Sequence, residues 1–208
     1  SRGLGDVYKR QHLGIPGRHN VMNALAAATV ALRYGMPLTA IAQTLAAQHT
    51  ISPHRMALST VSRQGASFEL IDDSFNANPD SMKAGLDGLR AWNANDGRQP
   101  FRVALLGAML ELGADERELH ASVGQYAAGL GLDAIITVGS PSDAHLNVLA
   151  ESLAEGATRG RAASVDCVQT IDEAERIVLD LAKNHTDTVV LLKGSHASGL
   201  SALAERWA

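Results

Sequence analysis

One cysteine, Cys167, stands in 208 residues. No disulfide can form within them, and a reducing compartment, the cytoplasm, is the expectation. The longest apolar run, ALAAATVAL at 24–32, falls far short of the roughly 20 residues a spanning helix needs, so membrane insertion is not expected. The opening SRGLGDVYKRQ is polar and has no signal-type apolar segment. There is no long basic run, and the formal net charge is −4, so nucleic acid is not an expected partner. Eight histidines are present, yet none shows HExxH-like metal-ligand spacing, which argues against a zinc site. Ser195 lies in no G-x-S-x-G elbow, so hydrolase chemistry is not indicated. The G-x-x-x-x-G-K-[ST] loop is missing too, so another segment must cradle the phosphates of any nucleotide used.

What is there is globular: 46% hydrophobic and 19% charged residues, enough for one or two domains. Residues 1–11 lack periodicity and change abruptly into HLGIPGRHN; they are expected to be a non-native or disordered leader. The alanine-rich segment 20–34 reads as a helix closed by Gly35. A second helix is expected over 37–48, with Pro37 at its start. ISPHR at 51–55 breaks the pattern, which places a domain boundary between 12–55 and 56–208. MALSTV (56–61) and SFELID (67–72) form a hairpin around Gly65. Helices are then predicted over 79–92, 115–130, 143–155, 171–184 and 198–207. They alternate with strands RVALLG, DAIITVG, ASVDCV and TVVLLKG. Nearly continuous apolar strands between helices mean an α/β fold, a Rossmann-like, mostly parallel sheet with helices on both faces.

Ligands of open α/β sheets bind beyond the carboxyl ends of the strands. Those ends read DDSFNAN (72–78), GAMLELG (107–113), GSPSD (139–143) and KGSHAS (193–198), all small or polar. Asn78 followed by Pro79 and Asp80 is a helix start and needs no function. Asp72, Asp73 and Asn76 are not explained that way. Adjacent acids at the end of a buried strand cost desolvation unless partners meet them, and an Asx-turn accounts for one at most. Lys193 is either solvated at the sheet edge or aimed at an anion, and GSHAS after it could offer free N–H groups. Glu111 is an acid in a strand-end loop or at a helix start. Cys167 is expected to be a small buried apolar residue.

GIPGRHNVMNALAAATVAL (14–32), PHRM (53–56), LIDDSFNANPDSM (70–82), VALLGAMLELG (103–113), DAIITVG (133–139) and LLKGSHAS (191–198) occur in the order seen in the Mur ligases, and the chain resembles that family over about residues 12–208. The DDSxNANPxSM phrase is similar to the branch that joins D-alanyl-D-alanine to a UDP-N-acetylmuramoyl tripeptide, and it argues against a folylpolyglutamate-type sister ligase. The resemblance implies a helical remnant of the central ATPase domain at 12–55 and the C-terminal Rossmann-like domain at 56–208. It implies an ATP- and Mg2+-dependent amide ligase of peptidoglycan precursor synthesis, working through an acyl phosphate and monomeric at full length. The P-loop and metal ligands would lie upstream, which leaves this part inactive alone. Asn20 and Asn23, at i and i+3 on one helix face, would lie near the adenine; the plain alternative is Asn20 as an N-cap. Arg55 and Asp73 would reach the ATP phosphates and ribose. Asn76, Lys193, Ser195 and Ser198 would face the incoming dipeptide. His54, Ala108 and His196 depart from the family's usual glycine, acid and arginine. A stand-alone, non-catalytic nucleotide- or dipeptide-binding module is the competing expectation.

Overall fold

Six strands hydrogen-bond into one sheet in a computed structural model that describes residue 13 and residues 18–48, 52–93 and 99–208. The expected leader at 1–11, and residues 14–17 of the GIPGRHN phrase, lie outside the described residues. The chain divides into two compact units between Ile51 and Ser52.

The first unit holds helices α1 (Arg18–Arg33) and α2 (Leu38–Ala47). Gly35 ends α1 as the sequence suggests: its φ is +82°, its N–H meets the Leu32 carbonyl, and the Met36 N–H reaches back to Ala31. That pair of bonds is a Schellman cap. Because α1 starts at Arg18, Asn20 sits in its first turn and is not the N-cap.

In the second unit β1 (Ala57–Arg63) and β2 (Ala66–Asp73) form an antiparallel hairpin. Gln64 and Gly65 make its two-residue turn, both with positive φ, the geometry that matches the twist of the flanking strands. Then follow α3 (Pro79–Ala91), β3 (Phe101–Gly107), α4 (Glu116–Gly129), β4 (Ala134–Val138), α5 (Ala144–Arg159), β5 (Val165–Val168), α6 (Ile171–Asn184), β6 (Thr188–Lys193) and α7 (Leu200–Trp207). The strand order is β1-β2-β6-β3-β4-β5, parallel everywhere except β1.

Two apolar layers sandwich the sheet. Met82, Leu86 and Leu89 of α3, Val123 of α4 and Leu153 of α5 pack with Ile71, Leu106 and Ile135 on one face. Val178 of α6 and Leu203 and Trp207 of α7 pack with Leu70, Leu105 and Ile136 on the other. The expected α/β sandwich is therefore present, with β3, β4 and β6 buried on both sides as their apolar runs require. One expectation is corrected, and one open alternative is decided. Cys167 is exposed, because β5 is the sheet edge and has no strand beyond it. Glu111 does not start a helix: α4 begins at Glu116, and Glu111 is a loop residue with φ 62°.

Candidate functional site

The strand order decides where a ligand can sit. β6 lies between β2 and β3, and the chain leaves it toward α7 on one face, whereas β2 and β3 lead into α3 and α4 on the other. Loops that part in opposite directions open a crevice at the carboxyl ends of those three strands. The segments there are 72–78, 107–113 and 193–198, three of the four strand ends picked out in the sequence. β4 is one strand further away, so GSPSD is less central.

In parallel pairing, Asp73 stands beside Lys193. The Lys193 ammonium is 2.8 Å from Asp73 Oδ2 and donates to the Asn76 carbonyl at 2.8 Å and to the Asp73 carbonyl at 3.4 Å. A lysine has three donors, and all three are used. Its side chain is only 3% exposed. Lys193 is thus neither solvated nor free for an outside anion. Among the described residues Asp73 Oδ1 has no partner, so one carboxylate oxygen remains for a ligand.

Asp72 has a different task. Its Oδ1 accepts from the Ser74 N–H at 3.2 Å and the Ser74 hydroxyl at 2.6 Å, the Asx-turn expected for one of the two acids. Its Oδ2 lies 2.8 Å from His54 Nδ1, and His54 Nε2 lies 3.4 Å from Glu205. The Phe75 N–H donates to the His54 carbonyl. Segment 53–56 is thereby tied to the 72–75 turn. His54 adopts φ 59°, a left-handed conformation that glycine takes without strain, and its two carboxylate contacts compensate. Arg55 is exposed, with its guanidinium 4.4 Å above the Phe75 ring and no ion pair among the described residues.

Asn76 is exposed, its side-chain oxygen accepting from the Ala77 N–H. Asn78 forms the expected cap: it accepts from Ser81 N–H, and Ser81 Oγ accepts from Asn78 N–H. Ser195 and Ser198 are buried. Ser198 Oγ donates to the Ser195 carbonyl at 2.6 Å, whereas Ser195 Oγ has no hydrogen-bond partner. A buried hydroxyl without a partner is costly, and Ser52 and Thr137 carry others among the described residues. Gly107 and Gly194 let these loops meet: a side chain at Gly107 would collide with Ser198, and one at Gly194 would press on the Gly107 backbone. In the first unit, Asn23 Nδ2 donates to Asn20 Oδ1 at 3.2 Å, so the two amides do share a face.

A profile described as "Mur ligase, glutamate ligase domain" matches residues 54–196. The chain belongs to the Mur ligase family. A UDP-N-acetylmuramoyl-tripeptide–D-alanyl-D-alanine ligase of Mycobacterium tuberculosis is 38% identical over 206 residues, 96% of this chain and 40% of that protein. The protein of the same name from Escherichia coli is 36% identical over 132 residues, 64% of this chain and 27% of its own length. This Mur ligase chain thus spans about 40% of the length of the Mycobacterium tuberculosis and Mycobacterium bovis relatives. Among solved structures, MurF of Acinetobacter baumannii superposes with a TM-score of 0.72 at 29% identity, covering 92% of this chain and 38% of that one. A MurF ligase of Thermotoga maritima, solved in complex with ADP, shares the fold with a TM-score of 0.66 at 22% identity, over 93% of this chain and 38% of that one.

The Mur ligase sequence also holds supports that its motifs did not announce. His120 of α4 is fully buried; its Nε2 accepts the Met109 N–H at 2.9 Å and its Nδ1 lies 2.6 Å from the Glu116 carbonyl. It pins the loop after β3. Burial pushes its pKa below the ordinary value of 6.5, opposed in part by the bond to Glu116. The available signal was spacing: His120 shares a helical face with buried Val123 and Ala127. Ala108, where an acid is usual, is buried with Leu146 and Leu149, so an acid there would be desolvated.

Proposed function

We propose that this chain is the C-terminal part of an ATP-dependent amide ligase that adds D-alanyl-D-alanine to a UDP-N-acetylmuramoyl tripeptide in peptidoglycan precursor synthesis. The observation that carries it is the crevice around the end of β6. Among the described residues, one Asp73 oxygen there accepts no bond, the exposed Arg55 over the Phe75 ring makes no ion pair, and the Ser195 hydroxyl has no partner. Relatives named for that reaction match along 96% of the chain. In the proposed reaction a carboxylate oxygen of the tripeptide attacks the γ-phosphorus of ATP, the P–O bond to ADP breaks, and an acyl phosphate and ADP result. The amine of D-alanyl-D-alanine attacks the acyl phosphate, and inorganic phosphate leaves with the C–O bond that breaks.

The residues fit the nucleotide chemically. Arg55 offers a guanidinium fork to phosphate oxygens, and Asp73 Oδ1 can accept a ribose hydroxyl. Asn20 and Asn23 present amide donors and acceptors suited to a base edge. Asn76, Ser195 and Ser198 form the dipeptide side of the crevice, with Lys193 beneath them. Mg2+ belongs to the proposal through ATP, whose phosphate oxygens, with one or two carboxylates and water, ordinarily supply its ligands. The rate gain comes from positioning the amine and stabilising charge on the phosphorylated carboxyl group. We place the reaction in the cytoplasm, carried out by a monomer; no described helix is long and apolar enough to cross a membrane.

Calorimetric titration of the chain with ATP–Mg2+ and, separately, D-alanyl-D-alanine tests the assignment. Saturable dipeptide binding that is lost in Asn76→Ala and weakened in Ser195→Ala supports it. Dipeptide binding that is absent, or indifferent to both changes, overturns this crevice as the dipeptide site.

A further inference from the structure

We infer that Lys193 is a positioning residue: its ammonium fixes the Asp73 carboxylate and the 73–76 turn, and it does not itself contact the ligand. The inference rests on the reading of this crevice as the ligand site, and assigns within it a role that the strand-end position of a lysine would not suggest.

The geometry argues for a built device. β2 and β6 run side by side in parallel, which sets Asp73 against Lys193 at the last paired position of both strands. The lysine stem runs over α3, where residue 85 is glycine; a Cβ there would stand 3.2 Å from Lys193 Cδ. Helix α3 therefore gives up a side chain at the point where the stem passes. The ammonium emerges among three oxygens: one carboxylate oxygen of Asp73 and the carbonyls of Asp73 and Asn76. A buried ammonium needs its charge neutralised and its donors filled, and this arrangement does both.

The consequence lies on the other side of Asp73. With Oδ2 held by Lys193, the carboxylate cannot rotate freely, and Oδ1 is left as the oxygen that a ligand hydroxyl can use. The same ammonium holds the Asn76 carbonyl, while the Asn76 side chain accepts from the Ala77 N–H. One cation thus sets the orientation of an acid assigned to the nucleotide and of an amide assigned to the dipeptide. Ser74 and Phe75, between them, are held from the opposite direction by Asp72 and by the His54 carbonyl. A lysine that bound a ligand anion directly would have to break these bonds first.

The test uses no ligand, so its failure is separate from failure of the functional reading, which the titrations address. Amide hydrogen exchange is measured in the wild-type chain and in Lys193→Met, which keeps an apolar stem over Gly85 but has no charge. Exchange at 74–78 is expected to accelerate roughly ten- to a hundred-fold, the scale set by losing hydrogen bonds from a charged donor. Protection of 103–106 and 189–192 in the sheet should stay unchanged. If packing were the only role, Lys193→Met would exchange like wild type, and that result overturns the proposal. The spectroscopic readout is the Lys193 ammonium 15N resonance. It is expected to be observable, with slowed proton exchange, in the wild-type chain and to be lost in Asp73→Asn, which attacks the pair from its less buried end. An ammonium signal unchanged in Asp73→Asn would also overturn it.

Discussion

His120 can work in only one protonation state. Its Nε2 accepts the Met109 N–H, so it must carry no proton, while Nδ1–H donates to the Glu116 carbonyl. A second proton would set two donors against each other in a site that excludes water. The lowered pKa, chiefly from burial, expresses the same preference. Its sign in stability follows from linkage. Below about 6.5 the unfolded chain takes up the proton, and the folded chain does so only at lower pH. In that window the unfolded state binds more protons, so His120 makes stability fall as pH drops. At neutral pH His120→Phe should cost roughly 1–3 kcal/mol, because it orphans the buried Met109 N–H. Urea unfolding at pH 7.5, 6.5 and 5.5 should show the gap between wild type and His120→Phe narrowing as pH falls. A constant gap would refute the role. Such roles were hidden in the sequence for a physical reason. LIDDSFNANPDSM and KGSHAS marked the edge. What the Lys193 ammonium reaches depends on which strand lies beside it, and its partners are 117 and 120 residues away. An Asx-turn at one of the two acids was legible because that bond is local; that Asp72 is the one that makes it, and its bond to His54, were not.

At the scale of elements, α4 and α5 pack through two glycines placed reciprocally. A side chain at Gly124 would strike the backbone carbonyl of Leu153, and one at Gly156 would strike that of Ala121. The obstacle in each case is main chain, which cannot rotate away as a side chain can. Gly124→Ala and Gly156→Ala should each destabilise the protein by about 1–3 kcal/mol, despite alanine's better helix propensity. The double variant should cost less than the sum, since one separation of the helices relieves both collisions. Thermal unfolding of the three variants checks this; additive losses would mean that the two contacts are independent. The element pattern itself was largely readable. Apolar runs that alternate with helical segments, the Gly65 turn and the Asn78 cap are local signals, and the element bounds fall within a few residues of those expected. The insertion of β6 between β2 and β3 was not readable, because it depends on non-local pairing. The exposure of Cys167 follows from that same order, which leaves β5 at the edge.

At the scale of the whole molecule, the two units differ in how they are held together. In the sheet unit, apolar layers cover both faces of the strands. In the first unit, Ile41 is the only fully buried apolar side chain among the described residues, while Val21, Met22, Leu25, Val30 and Leu38 are exposed. Isolated helices shorter than about 12–15 residues are marginal in water; α2, with 10 residues, falls below that length, and α1, with 16, only just exceeds it. Burial against tertiary neighbours is what usually sustains them, at roughly 25 cal/mol per Å² of apolar surface removed from water. The first unit removes little of it. Local opening should therefore occur at much lower free energy across 20–48 than in β3, β4 and β6. Hydrogen exchange read by mass spectrometry should find rapid labelling of 20–48 and slow labelling of 103–106, 134–138 and 188–192. A chain starting at Ser52 should keep the slow set unchanged. Uniform protection along the whole chain, or loss of the slow set when residues before Ser52 are removed, would show that α1 and α2 share the cooperative core of the sheet.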